Sequence, residues 1–194
     1  MRLRKKRKKR YGSQNRRGMI LNRFSIEKRP DVVDQRSRIA DWEMDIIIGA
    51  HHQGVLLTLV ERKSRLCLIA RLANKSAQEV ERTTINLLDS IKEKVHTVTS
   101  DNGKEFAKHE SIAKNLDARF FLAHPYASWE KGLNENTNEL IRKHFPKKTQ
   151  FNHISDQQVQ LVMEKLNNRP RKCLGMKTPN QLFFKDHSFV ALRS

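Results

Sequence analysis

The sequence contains little cysteine and no long apolar run. Its 194 residues include only two cysteines, Cys67 and Cys173, too few for a disulfide framework and without the paired spacing of a zinc site. No stretch approaches the roughly 18 apolar residues that a membrane-spanning helix needs. The basic N-terminus is not followed by an apolar segment, so it does not resemble a secretory signal. These absences argue against a disulfide-rich secreted domain, and they make the cell interior the expected compartment.

Acidic residues are scarce relative to basic ones. The chain has 39 Lys and Arg against 21 Asp and Glu, for a net charge of +18. Residues 1–29 hold 13 of these cations and a single acid, Glu27, so they carry +12 of that charge. Runs of like charge repel one another, stay extended and bind polyanions. We therefore expect residues 1–30 to form a flexible basic arm that contacts phosphates without reading bases.

Apolar runs of strand length follow the arm. The first three are DWEMDIIIGA, GVLLTLVER and SRLCLIARLA, and their links, HHQ and ERKS, have the length of hairpin turns. The pattern predicts three antiparallel strands, the first beginning near Asp41, where we expect the ordered core to begin. The run VHTVTSD predicts a fourth strand and RFFLAH a fifth. Three consecutive isoleucines, at 46–48, indicate that the first strand is covered on both faces.

Helical periodicity accounts for the segments between and after these strands. SAQEVERTTINLLDSIK predicts a helix that begins with a capping box of Ser76 and Glu79. HESIAKNLDA and GLNENTNELIRKHF predict two more helices, another is capped by Ser155 and Gln158, and a short one opens at Thr178. The order of strands and helices is that of the ribonuclease H-like fold. The expected class is therefore α/β, with a five-stranded mixed sheet, helices on both faces and a basic N-terminal arm.

Three carboxylates could meet in a sheet of this topology. Asp45 lies on the first strand, Asp101 at the end of the fourth, and Glu135 in the first turns of a helix after the fifth. Carboxylates held together repel one another unless cations neutralise them. Oxygen-only ligands suit Mg²⁺ or Mn²⁺, and a pair of such ions can promote phosphoryl transfer. A basic protein with these acids is expected to be a nuclease or a strand-transfer enzyme.

Local sequence alone favours a plainer interpretation of each acid. Asp101 opens Asp-Asn-Gly, a common turn signal in which the aspartate bonds its own backbone. Glu135, Asn138 and Arg142 share one helical face, which could simply meet water. Glu43 and Glu130 are alternative acids for the site.

Two segments carry a specific resemblance. TSDNGKEF and HPYASWEKGLNENTNELIR are similar to the catalytic core of DDE transposases and retroviral-type integrases, and most similar to the IS30 group of bacterial insertion-sequence transposases. The resemblance runs from about Tyr11 to Phe184, and 33 residues separate Asp101 from Glu135, as in the family. The segment WEMD places the first family aspartate at Asp45 rather than Asp41. The other matching positions are Pro125, Tyr126, Gly132, Asn138 and Arg142.

The resemblance implies an activity and a site. It implies metal-dependent DNA cleavage and strand transfer in transposition and integration, with Asp45, Asp101 and Glu135 as catalytic residues that bind two Mg²⁺ (or Mn²⁺) ions. The implied partners are element-end and target DNA and further copies of the chain, in the cytoplasm with the nucleoid and without a membrane. The expected domains are the arm at 1–30, the catalytic core at 31–186 and a tail at 187–194. The expected DNA contacts are Asn138, Arg142, Lys143, Arg169, Arg171, Lys172, Arg4, Lys5, Lys6 and Arg7.

Two other functions remain open on the sequence. A ribonuclease H-like nuclease would use the same acids without a joining step. A non-catalytic DNA-binding remnant is the other alternative, because no segment reads as the helix-turn-helix region that precedes such a core, so we expect a truncated transposase. Glu139 departs from the family pattern, in which a small residue is usual, and adds negative charge near the DNA.

Overall fold

The fold is built on one mixed sheet of five strands. The computed structural model describes residues 20, 22–124 and 132–184. The strands are β1 (Asp41–Ile48), β2 (Val55–Glu61), β3 (Cys67–Leu72), β4 (Thr97–Ser100) and β5 (Arg119–Leu122). The spatial order of the strands is β3-β2-β1-β4-β5, in which β1 runs antiparallel to β2 but parallel to β4. This confirms the predicted three-stranded meander followed by parallel crossovers.

Helices cover both faces of the sheet, as the sequence predicts. The helices are α1 (Asp31–Asp34), α2 (Ala77–Leu88), α3 (His109–Leu116), α4 (Gly132–His144), α5 (Asp156–Asn167) and α6 (Pro179–Phe183). Helices α2 and α3 belong to one apolar cluster, which contains Leu57 and Leu59, whereas α4 and α5 belong to another, which contains Leu56 and Val60. Successive residues of β2 thus enter opposite cores, since side chains alternate along a strand. No described helix is long and apolar enough to span a bilayer.

The helix starts follow the predicted caps with one exception. At α5 the Ser155 hydroxyl accepts from the Gln158 N–H, and the Gln158 side chain accepts from the Ser155 N–H, so the capping box is complete. At α2 only the first half forms: Ser76 Oγ accepts from the Glu79 N–H at 3.2 Å. The predicted second half is wrong because Asn74 Oδ1 accepts the Ser76 N–H at 2.9 Å, which leaves Glu79 to bind Arg82 and the Ala73 N–H.

The ordered core begins earlier than the sequence indicates. The Leu122 N–H of β5 donates to the Phe24 carbonyl at 2.9 Å, and Ile26 and Val33 are buried. Arg29 is also buried, where its Nη1 donates to Thr99 Oγ1 at 3.2 Å and it pairs with Asp34. The expectation that the ordered core begins near Asp41 is therefore wrong. Residues 24–34 anchor the chain to the sheet, and the part of the predicted arm at 1–19 lies outside the described residues.

A helix side chain covers the outer edge of β3. Asn167, the last residue of α5, accepts from the Cys67 N–H at 2.9 Å and donates to the Cys67 carbonyl at 2.7 Å. One amide thereby bonds both backbone groups that a further strand would use at that position. At the opposite edge, Ser25 forms a parallel bridge with Leu122 of β5.

Candidate active site

Asp45 and Asp101 lie on neighbouring parallel strands. In the ladder between β1 and β4, Glu43 is opposite Thr99. Continued for two residues, this register brings Asp101, the first residue after β4, beside Asp45. Both aspartates are partly exposed, so the pair forms a half-open acidic edge in an otherwise buried sheet.

The Asp101 side chain also organises the turn that follows β4. The Gly103 N–H donates to Asp101 Oδ1 at 2.8 Å, which is the bond expected of an aspartate that opens a turn. The Asn102 side chain donates to the Ala123 carbonyl beyond β5. The turn is thereby tied to the end of the neighbouring strand, and one carboxylate oxygen of Asp101 has a fixed direction.

Helix α4 is joined to β1 through Asp45. Asn138 Nδ2 donates to Asp45 Oδ2 at 3.0 Å, and Thr58 Oγ1 lies 3.2 Å from Asn138 Oδ1 and 3.3 Å from the Asp45 carbonyl, two acceptors for one hydroxyl proton. Thr58 is the residue of β2 directly opposite Asp45. Because the carboxylate can only accept, the NH₂ group of Asn138 faces it and the amide oxygen faces the hydroxyl. The three residues of this contact thus come from three adjacent elements: Asn138 from α4, Asp45 from β1 and Thr58 from β2.

Glu135 lies on the same helix, one turn before Asn138. Residues three apart share a helical face, so Glu135 is on the side of α4 that carries the Asn138–Asp45 bond, and it is exposed. Across the described ranges, no three His, Cys, Asp or Glu side chains lie close enough together to hold an ion. The structure therefore brings two of the predicted acids side by side and puts the third on the helix whose Asn138 is bonded to Asp45. The carboxylate oxygens of these three acids are ligands of the kind that Mg²⁺ and Mn²⁺ prefer.

The other acids of β1 have structural partners. Asp41 is buried, binds Arg38 with both oxygens at 2.9 Å, and accepts the Thr97 hydroxyl at 2.8 Å. The Asp41 carboxylate is thus occupied by structural contacts, and the choice of Asp45 as the site residue stays a prediction.

Glu43 has a structural function that the sequence analysis missed. It is fully buried, forms an ion pair with Arg62 and accepts the Asn134 N–H from the first turn of α4 at 3.1 Å. Burial lowers the pKa of Arg62, against the opposing effect of Glu43. The spacing of the acids could have indicated this function, because residues 41, 43 and 45 share one face of a strand that is otherwise apolar. The alternative acid Glu130 lies outside the described residues.

Comparison with known proteins identifies the domain. Residues 36–128 match the family model of the integrase core domain. The chain carries an integrase core.

Two relatives of the chain are insertion-sequence transposases. The chain is 46% identical over 173 residues to the transposase of IS4351 from Bacteroides fragilis, a match that covers 89% of this chain and 53% of that protein. It is 35% identical over 164 residues to transposase InsI of IS30A from Escherichia coli K12, which covers 84% of this chain and 43% of the relative. The chain thus spans about half the length of these curated relatives. The predicted relationship to the IS30 group is confirmed.

Solved structures share the fold of the integrase core. The catalytic core domain of BIV integrase superposes with a TM-score of 0.61 at 21% identity, covering 76% of this chain and 95% of that one. A simian T-cell lymphotropic virus intasome, solved with a PP2A regulatory subunit, gives 0.62 at 20% identity, with 78% and 55% covered. The predicted ribonuclease H-like class is confirmed.

The predicted DNA contacts of the integrase core differ in their surroundings. Arg142 Nη2 donates to the Ile48 carbonyl at 2.6 Å and its guanidinium lies 5.1 Å from the centroid of the Phe151 ring, and burial lowers its pKa. Arg171 Nη2 donates to the Leu166 carbonyl at 3.1 Å. Three other predicted contacts are exposed cations: Lys143, Arg169 and Lys172. The predicted contacts in the arm, Arg4, Lys5, Lys6 and Arg7, lie outside the described residues.

A shallow open cavity of about 760 Å³ runs along the outer face of α4. Glu139 lines this cavity, so the departure from the family pattern lies on the same surface as Glu135. The other lining residues are Asn138, Arg142, Lys143, Pro146 and Lys147.

Proposed function

We propose that this integrase core is the catalytic part of a DDE transposase. It would hydrolyse a phosphodiester at an element end and join the freed 3′ hydroxyl to target DNA. Asp45, Asp101 and Glu135 are the proposed catalytic residues and metal ligands. One observation carries the proposal: Asp45 is next to Asp101 in the parallel register and is bonded through Asn138 to the helix that bears Glu135.

The chain's own residues would hold and orient this site. Asp45 and Asp101 supply oxygens from adjacent strands, and Glu135 supplies one from α4. Asn138 fixes the direction of the Asp45 carboxylate, while the Gly103 N–H fixes that of Asp101. When bound, Mg²⁺ or Mn²⁺ ions would activate the attacking oxygen and stabilise the leaving one.

Charge and relatedness support DNA as the substrate. The chain carries a net charge of +18, and the relatives are named as transposases. We propose that Lys143, Arg169 and Lys172 contact phosphates directly. Arg142 and Arg171, with Asn138, would contribute through the donor groups that their internal bonds leave available, and the arm would bind through Arg4, Lys5, Lys6 and Arg7. Active complexes would contain several copies of the chain, at the nucleoid of a bacterial cell.

A strand-transfer assay tests the proposal. The substrate is a pre-cleaved terminal repeat of the parent element with a free 3′ hydroxyl, and the target is a plasmid. We expect product only with Mg²⁺ or Mn²⁺, and a loss of about a thousandfold or more in Asp45→Asn, Asp101→Asn and Glu135→Gln, because each change removes a metal ligand. Glu164→Gln, an exposed acid on α5, is the matched control and should keep the wild-type rate.

Two results would contradict this assignment. Equal product with and without a divalent metal would show that the three acids do not act as catalytic metal ligands. A fully active Asp101→Asn variant would show the same for Asp101. Preferential cutting of an RNA–DNA hybrid would instead favour the ribonuclease alternative. Calorimetric titration with Mg²⁺ separates an intact site from a non-catalytic remnant, since heat should appear for the wild type and disappear in Glu135→Ala.

A further inference from the structure

Three arginines surround a cavity on another side of α4. The cavity has a volume of about 220 Å³ and contains Arg36, Arg65 and Arg171 together with the exposed Cys173. These residues come from the loop after α1, the β2–β3 turn and the segment after α5. The remaining lining belongs to α4: Gly132, Leu133, Asn136, Thr137 and Leu140. We call this cavity the arginine pocket.

The arginine pocket has no carboxylate partner in the part of the chain that the structure describes. There, none of its three guanidiniums lies within 4.0 Å of a carboxylate, although Arg171 Nη2 donates to the Leu166 carbonyl. The Nε atoms of Arg65 and Arg171 are buried and have no hydrogen-bond partner among the described atoms. A buried donor without an acceptor costs free energy, and more so when it is charged. The pocket therefore presents donors and positive charge to a ligand.

The neighbouring acids Glu43 and Glu61 bind other groups, although Glu61 Oε1 is buried and has no hydrogen-bond partner among the described atoms. Glu43 is bound by Arg62 and by the Asn134 N–H. Glu61 Oε2 accepts from the N–H and the hydroxyl of Ser64 at 2.6 and 2.5 Å, and from the Lys63 N–H. Neither acid makes an ion pair with an arginine of the pocket.

Burial and mutual repulsion act on the same guanidiniums. Burial lowers the pKa of Arg65, and the nearby charge of Arg36 lowers it further. The pKa of Arg171 is lowered by burial and then by Arg169. Arginine stays protonated at neutral pH even so, hence an anion in the pocket would pair with these charges and offset the cost of their burial and repulsion.

We propose that the arginine pocket binds a backbone phosphate of DNA, an inference that rests on the proposed action on DNA. Guanidinium forks bind phosphate oxygens through two parallel N–H bonds, and the pocket brings together three of them.

The pocket and the proposed catalytic residues use different sides of α4. Leu133, Thr137 and Leu140 line the pocket, whereas Asn138 bonds Asp45 and lines another cavity together with Glu135. A helix is about 10 Å across, which corresponds to about three nucleotides at 3.4 Å per step. The arginine pocket would thus fix the DNA a few nucleotides from the bond that reacts.

Cys173 provides a local readout of binding. It is exposed and lines the pocket, while Cys67, the only other cysteine, is buried and has its pKa raised to about 12. Alkylation of the folded chain therefore reports on Cys173. A ligand in the pocket should slow that reaction by steric exclusion.

The experiment measures Cys173 alkylation at constant ionic strength, with inorganic phosphate or a short DNA duplex as the probe. We expect each probe to slow wild-type alkylation, by about fivefold once its concentration is four times the dissociation constant. Protection should be lost in Arg36→Gln, which changes an exposed residue, and in the Arg36→Gln/Arg65→Gln double variant. Each variant is compared with itself without probe, because removing a cation also changes thiol reactivity. Arg119→Gln, which removes an exposed charge at the start of β5, should keep full protection.

The outcomes separate this inference from the proposed activity. Protection by phosphate but not by duplex would indicate a free-anion site and would overturn the assignment to DNA. No protection, or equal protection in wild type and the double variant, would overturn the pocket itself. Asp101→Asn should retain protection although it loses strand transfer, so either proposal can fail while the other stands.

Discussion

Asn138 donates a hydrogen bond to Asp45 at 3.0 Å, and this is the bond between helix α4 and strand β1 that involves a proposed catalytic residue. Two other bonds join the same elements, from the Asn134 N–H to Glu43 and from Arg142 to the Ile48 carbonyl. Glu135 lies on the same helix, so the Asn138 bond helps to set its position relative to Asp45. The Thr58 hydroxyl holds the Asn138 amide in the orientation that the bond requires.

Replacing Asn138 should affect activity far more than stability. We expect Asn138→Ala to lower the strand-transfer rate by about 10- to 100-fold, because misplacement of reacting groups by about 1 Å costs that much. Its free energy of unfolding should fall by only about 1 kcal/mol, the usual contribution of one hydrogen bond. Urea denaturation and the strand-transfer assay measure the two quantities. Thr58→Val, which removes only the orienting hydroxyl, should give a smaller loss of rate, and a larger loss would contradict this account.

The buried pair of Glu43 and Arg62 predicts a purely structural defect. Glu43→Ala leaves the buried Arg62 guanidinium with only the exposed Asp34 carboxylate, 3.5 Å away, and should lower the free energy of unfolding by about 3 kcal/mol. The measurement is a urea titration followed by circular dichroism. Glu164→Ala, an exposed acid on α5, should change stability by less than about 0.5 kcal/mol. A Glu43→Ala variant as stable as wild type would show that the pair contributes little.

Glu61 should make stability fall as pH rises. Burial raises the pKa of this carboxyl above its ordinary value of 4.5, against the opposing hydrogen bonds from Ser64 and Lys63. The folded state then holds its proton to higher pH than the unfolded state, so this contribution is complete below about pH 4.5 and is lost as pH rises through the raised pKa. Glu61→Gln cannot ionise and should gain stability relative to wild type over that window. Parallel urea titrations from pH 4 to 8 measure the difference, and a constant difference would contradict the raised pKa.

The two thiols should react at very different rates. Cys173 is exposed, whereas Cys67 is buried with its pKa raised to about 12 by desolvation. Since the thiolate is the reactive form, a colorimetric thiol reagent at pH 8 should titrate one thiol in the folded chain and two in denaturant. Cys173→Ser should abolish the fast reaction, and a persistent fast phase would show that the sheet opens at β3.

Two deletions should separate the arm from its anchor. Removing residues 1–17 takes away ten cations, so the dependence of DNA affinity on salt should become much shallower, by about 0.9 in logarithmic slope per lost phosphate contact. The thermal midpoint should stay the same. Removing residues 1–30 also deletes Ile26 and the buried Arg29, and should destabilise the chain by about 3 kcal/mol or more. Gel shifts at several salt concentrations and thermal melts measure these effects, and equal stability of the two deletions would contradict the anchor.

The sheet and its helices were predictable because their signals are local. Strand-length apolar runs separated by hairpin-sized links predict β1 to β3, and helical periodicity with Ser155 and Gln158 predicts α5. The sheet order then follows from the sequence of elements. The position of Asp101 beside Asp45 was predictable for the same reason, as it depends on which strands are neighbours.

Residues 24–34 were not predictable, because their contacts are distant in sequence. Ile26 is an isolated apolar residue and Val33 has only Val32 beside it, with no periodicity to distinguish them from a tail. Arg29 counts as a cation of the arm until the structure shows its bond to Thr99, seventy residues away. Distant contacts also distinguish Arg142 from its neighbour Lys143. Arg142 binds the Ile48 carbonyl, whereas Lys143 is exposed. Composition identifies a cation but not its acceptor, so the DNA contacts remain predictions.

The contact of Asn167 with Cys67 limits how copies of this chain can associate. An exposed strand edge can recruit a strand from another molecule and extend one sheet through an assembly. At β3 the Asn167 amide already uses the backbone groups of Cys67, and at β5 the bridge from Ser25 occupies Leu122. A second copy that joined at these positions would first have to displace the chain's own groups. We therefore expect assemblies of this domain to form through helix faces and loops, and the sheets of neighbouring copies to remain separate.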